Sequence, residues 1–179
     1  VTATDASGNL GTCTAQVTVE DNVPPVAVCQ DVTVQLDANG QASIMASDID
    51  GGSTDNCSVF VSANPTSFDC ADLGVNQVTL TASDSSGNTD NCTANVTVED
   101  NIAPNAVCQN ITVQLDANGN ATITGADVDG GSTDNCSVAS VTVDQTSFDC
   151  SSVGSNTVTL TVTDQSGNSS TCTADVTVE

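Results

Sequence analysis

Carboxylates, amides, hydroxyls and thiols supply nearly all the ligating or reactive chemistry of this 179-residue sequence, which carries 23 Asp plus Glu and nine Cys but no Lys, Arg, His, Tyr or Trp. Three chemistries follow: acid and base work by paired carboxylates, cation binding by clustered oxygens, and sulfur–sulfur bonding. Paired Asp residues can serve a glycosidase, but there is no aromatic platform for a sugar and the acids fall in solvent-facing loops. Other catalysis lacks its usual bases, nucleophiles and proton donors. The sequence therefore reads as no enzyme. A net charge of -23 excludes nucleic-acid binding, which needs cations to displace counterions from phosphate, and docking on a membrane through basic residues. No side-chain salt bridge can form. The repulsion has to be managed by spacing, by counterions or by bound metal.

Nine Cys without a CxxC pair or His point to disulfides rather than zinc, and so to a secreted or cell-surface protein in an oxidising setting. A redox function would need a CxxC pair or a cationic neighbour. No apolar run reaches membrane-spanning length, so no membrane insertion is expected. No signal peptide is expected within this sequence, and a start at Val1 reads as mature, excised sequence. Lacking Lys and Arg, the chain has no tryptic site, which suits persistence outside cells. Disorder is the default for so acidic a chain, but 37% of residues are hydrophobic and fall in ordered alternation, so a folded reading survives.

The strongest organising signal is internal repetition. VTVEDN occurs at Val17 and Val96, QLDANG at Gln35 and Gln114, DGGSTDNCSV at Asp50 and Asp129, and TSFDC at Thr66 and Thr146. The spacing is 79 residues, rising to 80 after one insertion between Cys136 and Cys150. Residues 1–20 read as the closing strands of a preceding, truncated repeat, 21–99 as one whole repeat and 100–179 as another. The expectation is a polypeptide that continues before Val1 as a longer array, because a 20-residue tail cannot bury a core alone.

Each repeat reads as all-β. Val32, Val34 and Leu36 alternate with polar residues, Asp37 to Gly40 supplies a hairpin turn, and Ala42, Ile44 and Ala46 continue the pattern as a second strand. Val59 and Val61 open a third strand and Phe68 lies on a fourth. Val78 and Leu80 precede a Ser86–Asn88 turn, and Ala94, Val96 and Val98 close the repeat. Short strands with dense turn signals over about 80 residues fit a β-sandwich.

The run Phe68-Asp-Cys-Ala-Asp-Leu-Gly74, then Val78 to Asp84, Ser86-Gly-Asn88, Cys92 and Val96-Thr-Val98, resembles the second half of a hyalin (HYR) repeat, an immunoglobulin-like module found in tandem in extracellular adhesion proteins. Pro24, Pro25 and Cys29 match that family's opening, with Gln30 where Pro is usual. The resemblance implies seven-stranded immunoglobulin-like sandwiches in an elongated, disulfide-stapled array, an adhesive or structural role, and no catalytic residues.

On such a path the first and last strands begin at one pole, which pairs Cys29 with Cys92 and Cys108 with Cys172. The remaining thiols then pair within each repeat, Cys57 with Cys70 and Cys136 with Cys150, and Cys13 finds its partner before Val1. The competing pattern joins Cys13 to Cys29 and Cys92 to Cys108 across boundaries. It meets a strand whose far end is seven residues, about 24 Å, away, beyond disulfide reach.

The acids gather in turns. Asp48, Asp50 and Asp55 occupy the loop between the second and third strands, and Asp84 with Asn88 the last hairpin, at the pole that receives Glu20, Asp21 and Asn22. The second boundary repeats the set with Asp127, Asp129, Asp134, Asp164, Glu99, Asp100 and Asn101, and the pole below contributes Asp37, Asp69 or Asp72. The arrangement resembles cadherin junctions, where an Asp-x-Asp pair, an acidic Asp-Asn linker and a last-hairpin Asp share calcium. It implies Ca²⁺, which takes six to eight oxygens. The competing reading is that Asp, Asn and Gly simply build turns.

Sequons at Asn91, Asn95, Asn110, Asn120 and Asn168 are candidate glycosylation sites. Those at Asn56 and Asn135 recur in the acidic loop and read as structural. The Thr157 to Thr163 ladder has the form of an ice-binding face but is explained by the liking of Thr for outward strand positions. The favoured function is a structural repeat module of an extracellular stalk, adhesin or surface fibre that gives length and stiffness. Its partners are further repeats of the chain, with lateral or end-to-end self-association into a fibre. The alternative is a glycan- or protein-binding adhesion module, which predicts an exposed apolar patch.

Overall fold

A computed structural model describes residues 1–179. Strands β1 (Thr2–Thr4) and β2 (Leu10–Thr12) form an antiparallel hairpin. Every side chain of residues 1–20 is exposed. Val17 and Val19 stand 84% and 92% exposed, whereas Val96 and Val98, in the same VTVE sequence, are buried.

The first repeat runs through β3 (Val32–Gln35), β4 (Gln41–Ser43), a single helical turn α1 (Ala46–Ile49), β5 (Phe60–Asn64), β6 (Ser67–Asp69), β7 (Gly74–Ser83) and β8 (Thr89–Glu99). One sheet has the order β3-β8-β7-β5, and β4 with β6 makes the facing layer. The second repeat copies this with β9 (Ile111–Val113), β10 (Asn120–Thr122), α2 (Gly125–Val128), β11 (Val138–Val143), β12 (Ser147–Asp149), β13 (Gly154–Asp164) and β14 (Ser169–Val178). Alternation sends Val78, Leu80, Ala94, Val96 and Val98 inward against Leu36, Ile44, Ile49 and Phe68. Burying each large aliphatic side chain contributes roughly 1.5–3 kcal/mol, so two small cores of this kind support two separate sandwiches. The extra residue of the second repeat is taken up as a bulge between Val138 and Ser140 on β11, the usual way a strand absorbs one residue without shifting its register.

Two sequence expectations need correction. The second strand stops at Ser43: Ala46 begins a helical turn, held by Asp48 Oδ2 accepting from Met45 N at 2.7 Å. Each repeat has six strands rather than seven. The place of an opening edge strand is marked only by isolated bridges from Val26 to Thr54 and Cys29 to Asp50, because Pro24 and Pro25 bring no N–H to a ladder.

The parallel pairing of β3 with β8 and of β9 with β14 brings the two segments that carry Cys29 and Cys92, and Cys108 and Cys172, to one pole, and both disulfides are present. Each closes a loop whose chain-entropy contribution is about 4 kcal/mol. The expected Cys57–Cys70 and Cys136–Cys150 bonds are not formed. Instead Cys70 of the first repeat is bonded to Cys136 of the second, and Cys13, Cys57 and Cys150 are free thiols. The reason is polarity. Cys57 lies beside Asp21, where the chain enters its repeat, whereas Cys70 lies beside the Asp37–Gly40 turn, where the chain leaves it.

Candidate functional site: the junction between the repeats

The linker Glu99–Asn101 is fixed from the first repeat. Leu36 N donates to Glu99 O at 2.9 Å, Gln35 Nε2 to Glu99 Oε2 at 2.8 Å, and Asn101 Nδ2 to Gln35 Oε1 at 2.6 Å. From above, the Asp134-Asn135-Cys136 loop reaches down. Asn135 Nδ2 donates to Asp37 O at 3.3 Å and to Asp100 Oδ1 at 3.1 Å, and Cys136 packs against the core of the first repeat. Gly40 is required beneath it: its φ is +70°, and an added Cβ would lie 2.5 Å from Cys70 Sγ and 2.7 Å from Asn135 O, a left-handed backbone and a contact that other residues do not tolerate.

Three carboxylates converge here, with one oxygen each from Asp100, Asp134 and Asp164 within 4.8 Å of the others. Asp100 and Asp164 are 4% and 3% exposed. Asp100 uses Oδ1 to accept from Ile102 N and Asn135 Nδ2, and Asp134 uses Oδ2 to accept from Cys136 N and Ser137 N. Their other oxygens, Asp100 Oδ2 and Asp134 Oδ1, are buried without a partner, as is Asn135 Oδ1. Buried unpartnered carboxylate oxygens are costly unless a charge compensates them. The chain has no Lys, Arg or His to do so. Asp164 is held by Asn168, whose N and Nδ2 donate to its two oxygens while Nδ2 also reaches Asp100 O. An all-oxygen set of this charge fits a hard divalent cation.

The other acids expected at this site make local turn contacts and lie outside the trio. Asp127 Oδ2 accepts from Thr124 N and Oγ1, and Asp129 Oδ1 from Ser132 Oγ, Ser132 N and Gly131 N. Asp69 accepts from Ala71 N, and Asp72 from Asp69 N. Glu99 is taken by Gln35 and Asn101 by its bond to the same side chain. The Ser132 hydroxyl and then its N–H hold Asp129 below the usual carboxylate range, and Ser53 does the same for Asp50.

The N-terminal pole of the first repeat carries the same loop without a repeat packed below it. Asn56 Nδ2 donates to Asp21 Oδ1 at 3.2 Å, as Asn135 does to Asp100, and Asn88 Nδ2 to Asp21 O at 3.0 Å, as Asn168 does to Asp100. Here the cluster is Asp21, Asp55 and Cys57. Hydrogen bonds from Val23 N, then from Asn56 and Cys57, lower Asp21, and the bond to Asp21 together with its charge raises the Cys57 thiol. Asp84 keeps to its own hairpin with Asn88, Asp48 and Asp50 to theirs, and Glu20 and Asn22 are exposed.

Among the sequons, Asn91, Asn95, Asn110 and Asn120 are exposed, whereas the Asn168 amide is engaged in the junction. Asn135, read from the sequence as a structural residue of the acidic loop, bridges the junction, and Asn168, read as a glycosylation candidate, holds Asp164 there. The recurrence of Asp-Asn-Cys at Asp55 and Asp134 is the signal for Asn135, and nothing comparable marks the contact of Asn168 with Asp100 O.

The HYR domain model matches residues 20–98 and again 99–178. No curated protein matches the chain. Among solved structures, Drosophila N-cadherin EC1-4 is similar at 14% identity and a TM-score of 0.44, over 88% of this chain and 50% of that one. Human mucin-like protocadherin EC1-2 gives 13% and 0.44 over 87% and 98%. Sidekick-1 immunoglobulin domains 1–4 give 8% and 0.47 over 99% and 57%. The chain spans about half the length of the first solved structures it matches. With two consecutive matches covering all but the first 19 residues and the last, the chain belongs to the HYR domain family of extracellular, adhesion-type modules that have no enzymatic activity.

Proposed function

We propose that the chain is a structural repeat module of an extracellular stalk, adhesin or surface fibre, and that its task is to set length and stiffness. The observation that carries this reading is the boundary, where one covalent cross-link and one bridging amide join successive repeats beside a carboxylate trio on the second repeat's facing pole. A recognition module needs none of these. Residues 1–20 fit the reading as the closing strands of a further repeat, since Val17 and Val19 repeat the inward residues Val96 and Val98.

Calcium is the cation proposed, held by Asp100, Asp134 and Asp164 with Asn135 Oδ1. When bound it neutralises the like charges that otherwise press the loops apart. Asn135 and Asn168 orient the carboxylates, and the Cys70–Cys136 bond keeps the two poles together. Small-angle scattering of the 179-residue chain tests the reading: an extended shape with a narrow spread in calcium, a broader spread in chelator, and a still broader one after reduction. A shape indifferent to both treatments would sink it.

A further inference from the structure

The turn that carries Gly40 beneath the junction contains a chemically labile peptide. Asn39 precedes Gly40, and an Asn–Gly pair is open to ring closure, because the glycine nitrogen, with no side chain beside it, can attack the asparagine amide carbon. Asn39 is exposed while Gly40 is buried. The attacking nitrogen is tied into the turn: Gly40 N donates to Asp37 O at 2.9 Å, and Asn39 N to Asp37 Oδ1 at 2.8 Å.

The second repeat adds a lock. Asp37 O, the carbonyl that holds Gly40 N, also accepts from Asn135 Nδ2 at 3.3 Å. Gly40 O lies 3.7 Å from Cys70 Sγ, and a Cβ added to Gly40 would lie 2.7 Å from Asn135 O. Ring closure needs the Asn39–Gly40 peptide to turn out of the Asp37 hydrogen bond and carry its nitrogen onto Asn39 Cγ. The loop packed on Gly40 leaves no space for that movement while the Cys70–Cys136 bond holds it there. Asn118–Gly119 has the same local turn, with Gly119 N donating to Asp116 O at 2.9 Å and Asn118 N to Asp116 Oδ1 at 2.8 Å, but a Cβ added to Gly119 would meet neither Cys70 nor Asn135. Asp50–Gly51 and Asp129–Gly130 are poorer candidates: an ionised carboxylate resists attack, and their glycine nitrogens donate within the sandwich to Val28 O and Val107 O, both at 2.8 Å.

We propose that Asn39 is a deamidation site guarded by the joint: the closed joint preserves the amide, and the open joint lets it convert. In the open state Gly40 N gives its proton to water and attacks Asn39 Cγ, the Cγ–Nδ2 bond breaks, and the amide nitrogen leaves as ammonia. Water then opens the cyclic imide at either carbonyl, giving aspartate or, with the main chain rerouted through Cγ, isoaspartate. One water is consumed and one ammonia released, with no change of oxidation state. Isoaspartate lengthens the main chain by one atom ahead of Gly40, so Gly40 no longer fits beneath Asn135 and Cys136 does not return to Cys70. A joint left open is thereby made permanently open. Neither the cation nor the spacer role enters this chemistry.

The test compares the oxidised wild-type chain with C70S/C136S, both kept warm at mildly alkaline pH, with peptide mass spectrometry reading the amide-to-acid conversion at Asn39 and Asn118. Expected is conversion at Asn39 several-fold faster in C70S/C136S than in wild type, with the Asn118 rate the same in both. Equal rates at Asn39 overturn the proposal. An acceleration that Asn118 shares overturns it too, since the guard is then the folding of each sandwich, a local opening unrelated to the joint. Wild-type chain in a glutathione redox buffer that leaves a fraction of joints open gives a second reading. Isoaspartate at position 39 should be confined to molecules with Cys70 and Cys136 reduced, and its appearance in equal proportion in disulfide-closed molecules overturns the proposal. Neither outcome bears on the scattering experiment, so failure here leaves the spacer reading to its own test.

Discussion

Cys70 and Cys136 are 66 residues apart in sequence, belong to different sandwiches, and are joined with Cα atoms 5.5 Å apart. Mapping under non-reducing conditions with a protease that cleaves at acidic residues is expected to recover the two in one linked peptide pair. C70S should leave both sandwiches folded, because Cys29–Cys92 and Cys108–Cys172 lie wholly within them, and should broaden the distribution of shapes in solution.

Calcium affinity should depend on the trio and not on the neighbouring acids. D134N removes one unpartnered oxygen's charge and is expected to weaken calcium binding by about tenfold or more, since each carboxylate counts directly toward site affinity. D129N loses a turn contact to Ser132 and should lower the melting temperature slightly while leaving the calorimetric calcium isotherm unchanged. Equal losses in the two variants would return the site to a diffuse acidic surface.

Reduction and calcium should be coupled. Where no disulfide is formed, the Cys57 thiol sits in the cluster with Asp21 and Asp55, within 4.8 Å. Where the disulfide is formed, at the junction of the two repeats, the cluster is Asp100, Asp134 and Asp164. Reduced chain, with the Cys136 thiol free to bond Asp100, is expected to bind calcium several-fold more weakly than oxidised chain, measured by calorimetry before and after a phosphine reductant. C136S should behave as the reduced form.

Free-thiol reactivity gives a simpler check. The Asp21 hydrogen bond and charge, with Asp55 and Asp84 nearby, push the Cys57 thiol up, so less of it is thiolate at neutral pH. Cys57 should be the slowest of the three free thiols to react with an aromatic disulfide, and D21N should speed it selectively.

Acid should weaken the repeats in a defined window. Asp129 and Asp50 are held below the usual carboxylate range by Ser132 and Ser53. A group depressed on folding adds stability above its unfolded pKa, about 3.9 for Asp, and that stability is lost as pH falls through the folded value. The melting temperature should therefore be flat near neutrality and fall below about pH 4. S132A should shrink the fall, because it brings Asp129 closer to its unfolded value.

The sandwiches were legible because the residues that build them are local. Val78, Leu80, Ala94, Val96 and Val98 alternate with polar neighbours, and DANG at Asp37 and Asp116 marks a turn wherever it occurs. Cys29 and Cys92 could be placed together because the strands they flank run parallel in one sheet. The Cys70–Cys136 bond could not be found this way. It depends on which pole of one repeat faces which pole of the next, and Cys57, Cys70, Cys136 and Cys150 look alike in spacing whichever way they pair. The acidic junction was half visible: Asp100, Asp134 and Asp164 belonged to the expected set, but composition cannot tell a carboxylate that caps a turn, such as Asp127, from one whose second oxygen is left unpartnered.

A boundary closed by both a linker and a disulfide has two covalent paths through it. A protease that nicks the backbone at Glu99 or Asp100 would leave the two repeats still attached through Cys70 and Cys136, so a single cut would not separate them. Tension between the two repeats would likewise be shared between peptide and sulfur, and separating them takes two chemically different events at one place: hydrolysis and reduction.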